Sequence, residues 1–212
     1  MREDGVVVGV LGLQGDVAEH VRMLEVCGAR APVVKRVEEL AGLDGLVIPG
    51  GESTTIGRLL DRYGLLEPLR ERLRSELPAF GTCAGAILMG REALMADGRV
   101  SDQPLLGAMD IVVRRNAFGR QVDSFEEDLD VPGLEGPPLH AVFIRAPWVE
   151  EVGPGVEALA TVNPRNREGK PIGDRVVLAR QGHHLVSAFH PELTGDSRLH
   201  RLFVEIVKRA RG

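Results

Sequence analysis

The chain has few cysteines, few aromatic residues and no excess of positive charge. Its two cysteines are too few for a disulfide framework in 212 residues, which indicates a reducing compartment, the cytoplasm. Lysines and arginines number 26 against 31 aspartates and glutamates, and the resulting net charge of -5 argues against nucleic acid as the main partner. No apolar run approaches the length of a membrane span, so we expect no membrane contact.

The first half of the chain alternates strand and helix patterns. Residues 6–11, for example, form a continuous apolar run, which is typical of a strand buried on both faces of a sheet. The patterns predict strands at residues 6–11, 33–34 and 46–48, and helices after a cap at Asp16, after a cap at Ser53, Thr54 or Thr55, and over residues 65–73. Such alternation favours a parallel sheet covered by helices on both faces.

The second half is rich in strand patterns. Strands are predicted at residues 111–113, 121–123, 141–144, 176–178 and 185–188, surface loops at 91–104, 131–138 and 163–174, and a final helix at 197–211. We therefore expect a three-layer α/β fold with a mostly parallel central sheet and an antiparallel, strand-rich excursion in the C-terminal half. The length suits a single domain, residues 1–212.

Cys83 is the first candidate for chemistry. It lies between Gly81 and Gly85 at a predicted turn from strand to helix, where glycines permit a sharp turn and a helix N-terminus favours a thiolate. This arrangement suits a nucleophile. The alternative is a small buried apolar residue in a tight packing turn, because free cysteine is among the most buried residue types.

His190 and Glu192 form the second candidate. Residues two apart in an extended segment point the same way, so Glu192 can hold the Nδ1 atom of His190 and leave Nε2 facing a thiol. That is the base and orienting acid of a catalytic triad. The alternative is a structural histidine followed by a helix-capping acid. Cys27, His20, His140 and His200 lack such neighbours, and His183 and His184 are expected on opposite faces of a strand, so core or surface roles are predicted for these six.

Backbone donors for an oxyanion are predicted at two places. Gly50 and Gly51 can leave the N–H of Gly51 pointing into a cleft, and the N–H of Ala84 directly follows the candidate nucleophile. A plain turn before a capped helix is the alternative for the glycine pair.

Six ordered motifs together resemble a known family. They are Leu13-Gln14-Gly15-Asp16, Pro49-Gly50-Gly51-Glu52-Ser53-Thr54, Gly81-Thr82-Cys83-Ala84-Gly85, Arg115-Asn116-Ala117-Phe118-Gly119-Arg120-Gln121, Phe143-Ile144-Arg145-Ala146-Pro147 and Phe189-His190-Pro191-Glu192. They are similar to those of the glutaminase subunits of pyridoxal 5'-phosphate synthase, within the triad class of glutamine amidotransferases. The resemblance spans nearly the whole chain. Its departures are a long, charged segment at residues 91–104 and the paired histidines at 183 and 184.

The resemblance implies the class I glutamine amidotransferase fold and a reaction without cofactor or metal. Cys83 would attack the side-chain amide of L-glutamine, His190 would pass a proton to the leaving ammonia, and water would release glutamate. The contacts to glutamine that it implies fall on Gly51, Glu52, Ser53, Arg115, Ile144 and Arg145. A carboxylate and guanidinium groups suit an amino acid, which carries both charges.

The resemblance also implies a partner that uses the ammonia. This is a synthase subunit with a (β/α)8 barrel in a hetero-oligomer, and we expect Gln14, Gly15 and Asp16 at the interface. Three other functions stay open at this point. They are a γ-glutamyl peptidase with the same Cys–His pair, a non-catalytic domain of the same fold, and a glutaminase that feeds another synthesis.

Overall fold

The computed structural model describes residues 5–118, 124–164 and 170–212. In these ranges the helices are α1 (Val17–Val26), α2 (Ser53–Arg62), α3 (Leu66–Ser75), α4 (Ala84–Met89) and α5 (Arg198–Arg211). The strands are β1 (Val8–Leu11), β2 (Val33–Val34), β3 (Gly45–Ile48), β4 (Ala79–Thr82), β5 (Gly90–Leu94), β6 (Met109–Arg114), β7 (Ser124–Leu129), β8 (Leu139–Ile144), β9 (Trp148–Val152), β10 (Val156–Val162), β11 (Arg175–Gln181) and β12 (His184–Ser187). Short 3-10 turns occur at Val37–Leu40 and Pro191–Leu193.

Ten of these strands form one sheet in the order β2-β1-β3-β4-β12-β11-β9-β6-β5, with β10 paired to β11. The five strands from β2 to β12 are parallel, and β11, β9 and β6 continue the sheet antiparallel. Strands β7 and β8 form a separate antiparallel pair. The predicted fold, a mostly parallel sheet with an antiparallel excursion, is confirmed.

The helices cover both faces of the sheet, which gives three layers. The core on one face contains Ile56 and Leu60 of α2, Leu69 of α3 and Leu88 of α4. The core on the other face contains Leu24 of α1 and, from α5, Leu199, Phe203 and Val207. Strands β1, β3, β4 and β12 are buried along their whole length. Burial on both faces explains their continuous apolar runs.

Two local predictions were wrong and a third was confirmed in position only. The N-cap of α2 is Glu52, whose carboxylate accepts from the N–H groups of Thr54 and Thr55, so Ser53 and its two neighbours lie inside the helix. Asp16 occupies the predicted N-cap position of α1, but its side chain caps no N–H group. The segment 91–104 is not all surface loop: it begins within β5, where Ala93 is fully buried.

The strand predicted at residues 121–123 and part of the loop predicted at 163–174 lie outside the described residues. Within the described ranges, no helix combines the length and the apolar character needed to cross a membrane.

Candidate active site

Cys83 lies at the sharp turn between β4 and α4. Its φ of 48° and ψ of -101° are a rare combination for a residue other than glycine, and its N–H donates to the Ser187 carbonyl at 2.8 Å. The flanking glycines are required by close packing. A Cβ at Gly81 would lie 2.6 Å from the Gly85 carbonyl carbon, and one at Gly85 would overlap the Ile48 carbonyl. The turn therefore holds the thiol at the C-terminal edge of the parallel strands.

His190 and Glu192 lie just after β12, the strand next to β4. The His190 N–H donates to the Val142 carbonyl at 2.9 Å, and the His190 Nδ1 atom is 2.7 Å from Glu192 Oε1. The His190 ring and the Cys83 side chain line the same cavity, and a Cβ at Gly50 would lie 2.5 Å from His190 Cε1 and 3.5 Å from Cys83 Cβ. Because Nδ1 faces the carboxylate, Nε2 is the nitrogen left for sulfur. The structure thus brings the three predicted triad residues together.

The charge state of His190 follows from these contacts. Burial lowers its pKa, but hydrogen bonds with the Cys83 thiol and the Glu192 carboxylate outweigh burial and raise the pKa to about 10. The ring is therefore protonated at neutral pH. A protonated imidazole next to sulfur favours a thiolate and carries the proton that a leaving amine needs.

The segment of Gln14, Gly15 and Asp16 lies against the Pro49–Gly51 turn. Gln14 Oε1 accepts from the Glu52 N–H at 3.0 Å, and a Cβ at Gly15, where φ is 100°, would overlap the Gly50 carbonyl. The Asp16 carboxylate is 3.6 Å from the His190 Nδ1 atom. The predicted interface residues therefore contact both the predicted oxyanion turn and the histidine.

Gly50 was predicted only as part of the oxyanion turn, and its contact with His190 was not foreseen. A Cβ there would lie 2.5 Å from His190 Cε1. Only a residue without a side chain lets the backbone approach the imidazole so closely. The glycine pair indicated a turn, but nothing in the sequence said which ring the turn would contact.

A cavity of about 330 Å³ opens over the thiol. It is lined by all the residues of the predicted catalytic, oxyanion and substrate sets except Glu192, which lies beneath His190: Gly51, Glu52, Ser53, Cys83, Ala84, Arg115, Ile144, Arg145 and His190, together with Gln14, Asp16, Ile87 and Asn116. Its size suits a small molecule such as a free amino acid. The cavity therefore joins motifs that lie far apart in the sequence.

Both residues predicted to supply oxyanion donors, Gly51 and Ala84, line the cavity together with Cys83. Ala84 is the first residue of α4, directly after Cys83. Gly51 has a φ of 144°, a conformation that favours glycine, and a Cβ there would lie 3.2 Å from Gln14 Oε1. The Ile144 carbonyl is 4.0 Å from the Cys83 sulfur, and Arg145 has a φ of 43°.

Glu52 and Arg115 are ion-paired with each other. Arg115 Nη2 is 2.9 Å from Glu52 Oε1, and the Glu52 side chain is 48% exposed. The same carboxylate accepts from the Thr55 N–H and hydroxyl at 2.7 and 2.8 Å. Hydrogen bonds from Thr55 and Thr54 outweigh partial burial and lower the pKa of Glu52, so it is an anion at neutral pH. A carboxylate and a guanidinium in direct contact thus line the cavity.

Ser53 is tied to the segment after β5 and not only to the cavity. Its hydroxyl donates to Gln103 Oε1 at 3.1 Å, and the Thr54 hydroxyl reaches the same oxygen at 3.3 Å. Gln103 is buried within a segment that was predicted to be a surface loop. The long charged segment therefore supports the N-terminal turn of α2.

The remaining histidines differ from expectation in three places. His20 and His200 are core residues as predicted, but His20 was wrongly expected to lack an acidic neighbour, since its Nε2 atom is 3.4 Å from Glu192 Oε2. The same expectation was wrong for the exposed His140, whose ring nitrogens lie 2.8 Å from Asp128 and 3.0 Å from Glu126. The rings of His183 and His184 are in contact, with centroids 4.4 Å apart, and do not take opposite faces of a strand. The reason is that β12 begins at His184, so His183 belongs to the preceding turn.

Asp16, His190 and Glu192 offer ligand atoms within 4.8 Å of one another, which is close enough for a metal ion. A metal would have to displace a proton from the His190 ring, whose pKa the Cys83 and Glu192 hydrogen bonds raise to about 10 against the lowering effect of burial. The same contacts suit proton transfer better than metal ligation.

Comparisons with known proteins match this arrangement. The model of the SNO glutamine amidotransferase family matches residues 10–209. A Frankia alni protein named pyridoxal 5'-phosphate synthase subunit PdxT is 61% identical over 95% of this chain and 94% of its own. A Kineococcus radiotolerans protein of the same name is 56% identical over 95% of this chain and 94% of its own.

Solved structures agree with these relatives. One described as a glutamine amidotransferase superposes with a TM-score of 0.82 at 49% identity, covering 95% of this chain and 98% of that one. PurLQS from Thermotoga maritima, with a TM-score of 0.58 at 13% identity and coverage of 97% and 96%, shares the fold.

Proposed function

The chain belongs to the SNO glutamine amidotransferase family, and on that premise we propose that it hydrolyses L-glutamine to L-glutamate and ammonia through a thioester on Cys83. The ammonia serves pyridoxal 5'-phosphate synthesis, the process named in the relatives at about 60% identity. The observation that carries the proposed residue roles is that Cys83 and His190 line one cavity, with His190 Nδ1 held 2.7 Å from Glu192 Oε1.

The proposed chemistry has two steps. The Cys83 thiolate attacks the side-chain carbonyl carbon of glutamine, and the N–H groups of Gly51 and Ala84 stabilise the oxyanion. His190 gives its proton to the amide nitrogen, the C–N bond breaks, and ammonia leaves a γ-glutamyl thioester. His190 then takes a proton from water, whose oxygen attacks the thioester, and the C–S bond breaks to release glutamate.

We propose that glutamine binds by exchanging partners with the Glu52–Arg115 pair. Its ammonium would approach Glu52 and its carboxylate would approach Arg115, so both residues keep an opposite charge beside them. The other residues proposed to contact glutamine are Ser53, Ile144 and Arg145. Because the pair is partly exposed, its separation costs little compared with a buried pair.

The partner in this proposal is the synthase subunit, a (β/α)8 barrel, which receives the ammonia. Gln14, Gly15 and Asp16 contact the oxyanion turn and His190. Docking of a partner on these residues would therefore change the positions of the oxyanion turn and of His190, both next to the nucleophile. We place the complex in the cytoplasm, since two cysteines among 212 residues are typical of reducing compartments, and we treat residues 1–212 as one glutaminase domain.

The test is glutamate release, measured with and without the synthase subunit. The wild-type chain should release glutamate from free glutamine and not from γ-glutamyl peptides, and faster in the complex than alone. Cys83→Ala should abolish release in both states. Wild-type turnover by Cys83→Ala would refute the assignment of Cys83 as the nucleophile. Equal rates with and without the synthase would refute the coupling to the partner.

A further inference from the structure

One oxygen of the Glu192 carboxylate faces away from the triad into the core. Oε1 is bound to His190, but Oε2 is buried and makes no well-formed hydrogen bond to any described residue. The nearest donor is His20 of α1, whose Nε2 atom is 3.4 Å away, and both side chains are fully buried. A buried carboxylate oxygen without a donor is costly. An N–H group on His20 Nε2 would reduce this cost, whereas a lone pair there would increase it.

His20 has two other partners. Its Nε2 atom is 3.1 Å from the Thr82 hydroxyl, and its Nδ1 atom is 2.9 Å from His200 Nε2. His200 Nδ1 is buried and has no partner among the described residues. Either His20 or His200 donates in this hydrogen bond. The choice determines whether His200 Nδ1 buries an unpaired N–H group or an unpaired lone pair.

Two tautomers of His20 are possible. If His20 carried its proton on Nδ1, His200 would bury an unpaired N–H and a ring lone pair would face Glu192 Oε2. If His20 carries its proton on Nε2, His200 donates to it, His200 Nδ1 is an unprotonated nitrogen, and Nε2–H points between Thr82 and Glu192. The second arrangement leaves no buried donor unpaired and places a proton beside the carboxylate.

Burial, and then the neighbouring His200 and His190, lower the pKa of His20 well below its usual value. Burial likewise lowers the pKa of His200 to about 4. Both rings are therefore neutral at neutral pH, and each has a single N–H to donate.

We propose that His20 is a positioning residue of the glutaminase site, which donates from Nε2 to Glu192 Oε2 and so keeps Oε1 on His190. The hydrogen bonds then run in one direction, from His200 through His20 to Glu192. This proposal rests on the proposed function, because it names a residue that supports the same triad. His20 touches neither the thiol nor the cavity, so it acts only through Glu192.

The primary test compares two variants at one position. His20→Leu removes the donor to Glu192, whereas His20→Gln keeps an N–H close to the place of Nε2, and both lose the hydrogen bond from His200. We expect His20→Leu to lower kcat for glutamine about 10-fold to 100-fold with KM nearly unchanged, and His20→Gln to recover most of the loss. Equal kcat values for the two variants would overturn the proposal.

A matched control separates positioning from stability. His184 is also a buried histidine, with one hydrogen bond from Nε2 to the Leu73 carbonyl, and it takes no part in the site. His184→Leu should lower the melting temperature about as much as His20→Leu and leave kcat unchanged. A fall in kcat that follows the melting temperature in both variants would assign His20 a merely structural role.

Coupling to Glu192 is tested in a double-mutant cycle. In a Glu192→Ala background, His20→Leu should change kcat less than about twofold, because the group it acts through is gone. Loss by the same factor in both backgrounds would contradict the proposal.

A measurement without glutamine keeps this inference separate from the proposed function. NMR titration of the His190 ring should give a lower pKa in His20→Leu than in the wild type, and a nearly wild-type pKa in His20→Gln. That shift in a protein that releases no glutamate would refute the function and uphold the positioning role. Glutamate release with an unshifted His190 titration in His20→Leu would do the reverse.

Discussion

The cavity has two walls that are built by different means. The inner wall carries Cys83 and His190 and is backed by Glu192 and His20, whose side chains are fully buried and do not reach the cavity. The outer wall consists of Gln14, Glu52, Arg115 and Arg145, with the Glu52 carboxylate about half exposed. Core packing fixes the inner wall, whereas the outer wall is held mainly by its own polar contacts. We expect the inner wall to control kcat and the outer wall to control KM.

Substitution of Glu192 is expected to have the largest effect and tests most strongly whether the inner wall controls kcat. Glu192→Gln replaces the carboxylate that faces His190 Nδ1 with a neutral amide, which loosens the ring and weakens its charge. We expect kcat to fall about 10³-fold with KM within about threefold, by analogy with orienting acids of other triads. Steady-state glutamate release measures both parameters. A rise in KM with normal kcat would contradict the expectation that Glu192 acts on kcat.

Gly50 tests the inner wall through the backbone. Gly50→Ala adds a Cβ that would lie 2.5 Å from His190 Cε1, so the ring must move. We expect kcat to fall about 10²-fold, since small displacements of a catalytic group are costly. Gly5→Ala is the control, because its Cβ makes only an ordinary contact at 3.6 Å. Equal kcat values for the two variants would show that this close approach does not matter.

Arg115 sharpens the comparison from the other side. Arg115→Gln removes the cation paired with Glu52 and should raise KM for glutamine about 10-fold to 100-fold, with kcat within about threefold. The neighbouring Arg114 pairs with Glu150 instead and does not line the cavity. Arg114→Gln should leave KM unchanged, and a matching rise there would mean that net charge, not a specific contact, sets the affinity.

The smallest effect at neutral pH concerns the neutral histidines behind the inner wall. Burial lowers the pKa of His200 to about 4 in the folded chain, whereas the ordinary pKa of histidine is about 6.5. Between these two values the unfolded chain binds a proton at this residue and the folded chain does not. The folded state therefore loses stability progressively as the pH falls from about 6.5 to about 4, and below that both states carry the proton.

His200→Gln removes this titration and keeps a donor for His20. Denaturant unfolding at pH 7 and pH 4.5 should show an acid-induced loss that is smaller than the wild-type loss by about 2 to 3 kcal/mol. His140 is the control, because the hydrogen bonds that its ring donates to the Asp128 and Glu126 carboxylates raise the pKa of this exposed residue. His140→Gln should not reduce the acid-induced loss, and a loss unchanged in His200→Gln would contradict the buried neutral state.

Local patterns were sufficient for the parallel half of the fold and for Cys83, His190 and Glu192. Each has a nearby cause: an apolar run, a glycine-flanked turn, or two residues separated by a proline. Arg115, Ile144 and Arg145, in contrast, were predicted only through the family resemblance.

The contact of His20 with His200 joins positions 180 residues apart through the packing of α1 and α5, and no local pattern encodes it. Glu52 was missed as a cap because Ser, Thr, Asp and Asn are the preferred N-caps.

The central claim is that Cys83 carries the glutamyl group, and mass spectrometry of acid-quenched protein tests it most directly. After mixing with glutamine, the account predicts a γ-glutamyl adduct on the peptide that contains Cys83, its absence from the peptide that contains Cys27, and its accumulation when His20 or Glu192 variants slow hydrolysis of the thioester. Release of glutamate with no adduct on Cys83, or with the adduct on Cys27, would contradict the account.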